Sequence, residues 1–415
     1  MIRLLIIADD FTGALDTGVQ FAACGAATRV ITDRNASLAD YKNEAEVLVV
    51  DAETRHLPAA EAYTYVASIV SQAVQLDIPH IFKKTDSALR GNIGAELAAL
   101  LESSGETQLP FLPAFPQMNR CTVDGDHNNT GVPVAESVFG KDPFEPVTHS
   151  NISDVIALQS PAAVTSCAVK DPVPENTGIL VFDASSLEDL TIRARQLQEK
   201  NMLRIMAGCA GFGSVLPQLL NIGTGTPAPL PKLDPNFLVI CGSVNPITVA
   251  QCSHAESEGF LRIRLAPEQK LNPEYWSSTE GQLEFQNLQA RLSEQRCRII
   301  DTNDPGSNKL TSDYAEAHSM TIEDVRQAVS RSIGYLVSRL FPNPGLGTLL
   351  ITGGDTLLQC MNYMGIREIE PLGELDRGVV LSRFSYQGYT RYVISKSGGF
   401  GKETLFTDLA KRIAP

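Results

Sequence analysis

Three short polar stretches in the first 92 residues each follow an apolar run, and their residue types suit an anionic, hydroxylated ligand. They are Asp9-Asp10-Phe11-Thr12-Gly13, Asp51-Ala-Glu53-Thr54-Arg55-His56 and the longer Lys83-Lys84-Thr85-Asp86-Ser87-Ala88-Leu89-Arg90-Gly91-Asn92. Lys83, Lys84 and Arg90 crowd together although residues 1–225 hold 15 basic against 27 acidic side chains, net −12. Clustered cations in an acidic region point to an anion, and a guanidinium grips a carboxylate with two parallel hydrogen bonds. Arg55 is a second candidate for that grip. The carboxylates of Asp9, Asp10 and Asp86 suit hydroxyl groups or a metal, so the mixture fits a polyhydroxy acid. Two blander roles stay open for these residues: ion pairs within the domain, and Asp, Ser or Thr side chains that only cap the following helices.

The second half offers glycine-rich turns. Cys241-Gly242-Ser243, Thr352-Gly353-Gly354-Asp355-Thr356 and Ser395-Lys396-Ser397-Gly398-Gly399-Phe400-Gly401-Lys402 each follow an apolar run. Glycines at a strand-to-helix turn let backbone N–H groups approach phosphate, and the helix N-terminus adds positive potential. A P-loop spacing is absent. Gly223-x-Gly225-x-x-Ala228 has dinucleotide-fingerprint spacing, but it lies among prolines and not after a strand. Asp124, Asp126 and Asn128 begin a calcium-loop pattern that lacks its helices and its central glycine. If the chemistry is phosphoryl transfer, an aspartate must orient the attacking hydroxyl. Asp86 and Asp9 are the candidates for that role, with Asp355 on the metal or phosphate side. The metal ligands themselves stay unassigned.

These stretches need elements to position them. Short apolar runs alternate with helix-length amphipathic segments, the pattern of parallel α/β sheets. Strands are expected at 3–8, 47–50, 80–83, 109–114, 179–183 and 203–207, with helices at 12–24, 59–74, 92–101 and 187–200. Residues 115–150 break the rhythm, and the turn-rich stretch 124–131 within them suggests a hairpin projecting from the sheet. Prolines crowd residues 223–235, so a linker is expected there, between a domain at 1–222 and a second at 236–415. In the second, strands are expected at 237–241, 297–300 and 348–352, helices at 247–258, 322–340 and 403–413, and an antiparallel pair at 379–386 and 390–395. The expected fold class is α/β: two domains, each a mainly parallel sheet flanked by helices, with an active-site cleft between them. Ligands of such sheets bind beyond the carboxyl ends of the strands, where the polar stretches and glycine turns fall.

The 415 residues suffice for two or three domains, and a 43% apolar content supports packed cores. A net charge of −14 argues against nucleic acid and anionic membrane as partners. No apolar run reaches membrane-helix length, and the opening run at residues 4–8 is too short for a signal-peptide core. A cytoplasmic location is expected, with the eight scattered cysteines reduced and no zinc site. A homo-oligomer stays open.

In order and spacing, the segments IADDFTGALDTG (7–18), KKTDSALRGNIGAEL (83–97), Asn129 to Ser137, CGSVNP (241–246), ITGGDT (351–356) and SKSGGFG (395–401) resemble the four-carbon acid sugar kinase family. The resemblance covers essentially the whole chain. It implies an ATP-dependent, magnesium-assisted kinase acting on the 4-hydroxyl of D-threonate, D-erythronate or 3-oxo-tetronate, with D-threonate the first expectation and D-erythronate the second. The N-terminal domain would hold the sugar acid through Asp9, Asp10, Arg55, Lys83, Lys84, Thr85, Asp86 and Arg90. The C-terminal domain would hold ATP through Ser243, Gly353, Gly354, Gly398, Gly399, Phe400 and Gly401. The rival readings are a nicotinamide-dependent oxidoreductase of a small hydroxy acid, which lacks its glycine fingerprint after a first strand, and a non-catalytic sensor, which lacks a visible effector segment.

Overall fold

The computed structural model describes residues 1–142, 144–223 and 225–414. Thr224 in the expected linker, Pro143 in the expected projection and Pro415 lie outside the described residues. The chain forms two compact units, Met1–Ala228 and Pro229–Pro415.

The first unit is built on β1 (Leu4–Ala8), β2 (Thr28–Ile31), β3 (Val47–Asp51), β4 (His80–Lys84), β5 (Gln108–Leu112), β9 (Val164–Cys167), β10 (Gly178–Phe182) and β11 (Ile205–Gly208). Their order is β2-β3-β1-β4-β11-β5-β10-β9, parallel throughout. Buried on both faces, such strands read as unbroken apolar runs, as Leu-Leu-Ile-Ile-Ala of β1 does. Strand order reverses on either side of β1, with β3 to one side and β4 to the other. That reversal is a topological switch point, where connections diverge and leave a crevice at the carboxyl ends. The helix Phe11–Ala22 starts there, capped by Asp10, whose Oδ1 accepts the Gly13 N–H at 3.0 Å. The apolar core packs Leu5, Ile7, Leu48, Ile81, Leu97 and Phe111 between sheet and helices.

The expected projection is a small antiparallel sheet of β6 (Arg120–Val123), β7 (Asp126–Asn129) and β8 (Val132–Pro133). Its tight turn sits at Asp124 and Gly125, both at positive φ (54° and 79°), the backbone that matches strand twist in two-residue hairpins. Asp183 anchors it, its carboxylate accepting the N–H groups of Asp124 at 2.6 Å and Gly125 at 3.1 Å.

The second unit comprises β12 (Phe237–Cys241), β13 (Leu261–Arg264), β14 (Cys297–Asp301), β15 (Thr348–Thr352), β16 (Glu368–Asp376), β17 (Val379–Tyr386) and β18 (Tyr389–Lys396). The run β13-β14-β12-β15-β18 is parallel, and β17 and β16 continue it antiparallel. A second switch point lies between β12 and β15. The helix Ile322–Leu340 opens on a Thr321–Asp324 capping box, and the helix Gly354–Met364 follows β15. Expected linker residues divide. Gly25 faces the carbonyl of Gly225 in the first unit, while Leu233 packs on the core of the second.

Candidate active site

The carboxyl ends of β3, β1 and β4 bring Asp9, Asp10, Arg55 and Asp86 into one buried cluster. Arg55 reaches the bend after β1, where its Nε and a terminal nitrogen meet Asp9 Oδ2 at 2.8 and 2.7 Å. The same nitrogen lies 2.8 Å from Asp10 Oδ1 and 3.8 Å from Asp86 Oδ1. Burial works against the Arg55 charge, but Asp10, Asp9 and Asp86 together hold its pKa well above the usual value. Asp86 is gripped bidentately by Arg90 at 2.9 and 3.0 Å. Burial pushes the Asp86 carboxyl up, yet the charges of Arg90 and Arg55 hold it well below the usual range. Arg90 also meets Asp142 at 3.1 Å. Asp9 is 1% exposed, and with Oδ2 taken by Arg55 its Oδ1 has no hydrogen-bond partner.

The two lysines of β4 diverge. Lys83, fully buried, pairs with Glu96 at 2.9 Å, and Glu96 also accepts a short bond from the Thr54 hydroxyl. This pillar ties β4 to the helix Ile93–Ser104 and consumes the Lys83 charge. Lys84 points elsewhere: its Nζ donates to the Thr85 carbonyl at 2.8 Å. A Cβ on Gly13 would stand 2.6 Å from that ammonium and 2.5 Å from Asp10 Oδ1, so glycine here makes room for both. The Thr85 hydroxyl is buried without a partner. Asp51, at the end of β3, is pushed well up by burial and by the neighbouring carboxylates of Glu53 and Asp10. Arg55, Arg90, Asn92 and Gln159 also line a pocket of ≈ 420 Å³, together with Val147 and Leu158.

Sequence reasoning passed over Glu96, Arg120, His127 and Asp142. The hairpin docks on the segment after β4 through His127, whose Nε2 faces the Ser87 carbonyl at 2.9 Å while Nδ1 faces the Thr122 hydroxyl at 3.0 Å. A carbonyl only accepts, so Nε2 carries the proton. Burial pulls the imidazole pKa down to about 4. Arg120 contacts the Ser87 hydroxyl, and its guanidinium lies 4.7 Å from the Phe139 ring. The turn composition signalled the hairpin, but nothing local in it signalled where it would dock.

In the second unit, the glycine loop after β18 has its carbonyls pinned inward. Lys396 Nζ donates to Thr248 Oγ1 at 2.9 Å and to the carbonyls of Ser397 at 3.0 Å and Gly398 at 3.1 Å. The Thr248 hydroxyl donates to the Gly398 carbonyl, and Gln251 Nε2 to those of Phe400 and Lys402. Burial lowers the Lys396 pKa to about 8. Ser243 stands against the loop, because a Cβ on Gly398 would come within 2.5 Å of its Oγ. Peptide carbonyl and N–H point in opposite directions, so pinned carbonyls turn N–H groups outward. Gly353 begins the helix Gly354–Met364, whose first-turn Asp355 is paired with Arg326 and 40% exposed at its side chain. The Phe400 ring packs over Gly378.

A family model described as a sugar-binding N-terminal domain matches residues 4–216, and one described as a nucleotide-binding C-terminal domain matches residues 238–406. The D-threonate kinase of Salmonella typhimurium is 28% identical, over 98% of this chain and 97% of its own. The D-erythronate kinase of Heliobacterium modesticaldum is 23% identical, over 90% of this chain and 88% of its own. The fold matches a crystal structure from Salmonella typhimurium LT2 with a TM-score of 0.81 at 20% identity, covering 99% of this chain and 100% of that one. No described helix is long and apolar enough to cross a membrane.

Proposed function

The chain belongs to the four-carbon acid sugar kinase family, and we propose that it transfers the γ-phosphoryl group of ATP to the 4-hydroxyl of a four-carbon sugar acid, D-threonate first and D-erythronate second. The observation that carries the reading is the free Oδ1 of Asp9. A buried carboxylate oxygen without a donor is costly, and a substrate hydroxyl donating to it removes that cost and is oriented by it. Arg55 fixes the other oxygen, so the acceptor direction is set before substrate arrives. Phosphoryl transfer has a loose transition state, so positioning matters more than early proton removal. Asp9 therefore orients the attacking hydroxyl and takes its proton late. Asp86, with both oxygens engaged by arginine, holds Arg55 and Arg90 in place.

The loop at 396–401 fits a polyphosphate: its carbonyls are tied down by Lys396, Thr248 and Gln251, and its glycines admit close approach. Ser243, Gly353 and Gly354 border it as further nucleotide contacts. Magnesium would neutralise the phosphate oxygens, with Asp355, in the first turn of the helix Gly354–Met364, a candidate carboxylate to hold it. The test is ADP release by the purified protein with ATP and magnesium across a panel of four-carbon acids. Turnover with D-threonate at the highest kcat/KM supports the reading, and no acid above background overturns it.

A further inference from the structure

We infer that Arg120, from the hairpin, and Lys84, from β4, bind the carboxylate of the sugar acid, a role that rests on the kinase reading above. Arg55 is matched by Asp9 and Asp10, Arg90 by Asp86 and Asp142, and Lys83 by Glu96. Three of the four cations expected to grip an anion are thus already neutralised, and Lys84 is the exception. Among the described residues, neither Lys84 nor Arg120 has a carboxylate within ion-pair distance. Lys84 is nonetheless 5% exposed. Buried charges are normally paired, so the unpaired Lys84 at the end of β4, together with the partly buried Arg120 that acts on the same Cys209 thiol, forms a site awaiting an anion.

Both groups are held in place rather than loose. Arg120 is braced by Ser87 and by the face of Phe139, and its Nε reaches Asn129 Oδ1 at 3.5 Å. Lys84 is braced by the Thr85 carbonyl, in the space left by Gly13. Both act electrostatically on the Cys209 thiol at the end of β11, which burial nevertheless keeps protonated. The Asp86 carboxylate also acts on Arg120, but from beyond ion-pair distance and with both oxygens already held by Arg90. A third donor is independent of charge: the Thr85 hydroxyl, between Lys84 and Asp86 in the chain, is fully buried with no acceptor. A carboxylate accepts from all three, and Arg120 can offer it a fork. The acid's two ends then have separate anchors, the carboxylate on Lys84 and Arg120 and a hydroxyl on Asp9.

The experiment compares D-threonate with its primary amide, which keeps the hydroxyls and loses the charge. Arg120→Gln should lower kcat/KM for the acid about 10- to 150-fold, the range for a charge-assisted contact. It should leave the amide and the ATP KM unchanged, and Lys84→Met should do likewise. Equal losses on acid and amide, or no loss on the acid, overturn the inference. If Arg120→Gln fails to fold by its melting curve, Arg120→Lys replaces it, with a smaller loss expected on the acid alone and the same overturning outcomes. A wild type that turns over no four-carbon acid overturns the kinase reading. The inference is then judged by calorimetric binding of D-threonate, where no wild-type binding, or binding that survives Arg120→Gln, overturns it.

Discussion

At the scale of single residues, the candidate carboxylates separate by what already holds them. Asp86 gives both oxygens to Arg90 and stays ionised far below neutrality, a poor proton acceptor. Asp9 gives one oxygen and keeps the other free. Asp9→Asn retains shape and part of the Arg55 contact, and should lower kcat roughly 10²- to 10⁴-fold while melting near wild type. Asp86→Asn should act differently, costing about 1–3 kcal/mol of stability because it weakens the contacts of the buried Arg55 and the partly buried Arg90. Steady-state kinetics beside urea unfolding checks both, and a fully active Asp9→Asn would move the orienting role elsewhere. Which carboxylates cluster was legible in the sequence, since Asp9, Asp10 and Asp86 all follow strands. Their division of labour was not, because it depends on Arg55 crossing from β3 to β1 and on Glu96 taking Lys83, contacts that no local spacing encodes.

At the scale of elements, buried central strands were read almost to the residue, since Phe237–Cys241 and Thr348–Thr352 are continuous apolar runs. The missed strands lack that signature. β2 is Thr-Arg-Val-Ile, β13 and β9 end their sheet orders, and β16 carries Pro371 and Gly373 at a register irregularity. The glycine loop was found by composition, but its anchors Thr248 and Gln251 lie about 150 positions away on the helix Pro246–Ser257. At Gly399 an added Cβ would meet only Asn245 Nδ2 at 3.6 Å, an ordinary contact. Gly399→Val should therefore fold while obstructing phosphate, raising the ATP KM at least tenfold and leaving the acid KM alone. An unchanged ATP KM would make the loop merely structural.

The hairpin carries a pH prediction of its own. His127 is neutral in the fold with a pKa of about 4, against 6.5 in an unfolded chain. Between those values the unfolded chain binds a proton that the fold refuses, so stability falls as pH falls through this window. The loss is about 2 kcal/mol by pH 5 and about 3 kcal/mol by pH 4. Urea midpoints at pH 7.5 and pH 5 should differ more for wild type than for His127→Asn. Equal differences would mean that the imidazole titrates freely in the fold.

At the scale of the whole molecule, charge is distributed unevenly along the chain, so an acid bound to the first unit and a nucleotide bound to the second would meet different fields. Residues 1–225 carry net −12 of the total −14, yet the acid is expected to bind there. An incoming carboxylate is repelled at long range and attracted only once it reaches the cations at the strand ends. Salt acts unequally on these two steps. Raising ionic strength from 0.01 to 0.15 M shortens the Debye length from about 30 to about 8 Å, which screens the distant repulsion and barely touches contacts already buried. The KM for D-threonate should therefore fall with added salt, within about tenfold, whereas an exposed ion-pair site would show a rise. The primary amide should show no such dependence. The ATP KM should move less than the acid's, because residues 226–415 are close to neutral with 19 basic against 21 acidic side chains. Initial rates at fixed pH across that range, with potassium chloride as the salt, decide the matter. A KM for the acid that climbs with salt would place its carboxylate at solvent-exposed cations and rule out buried Lys84 as its partner.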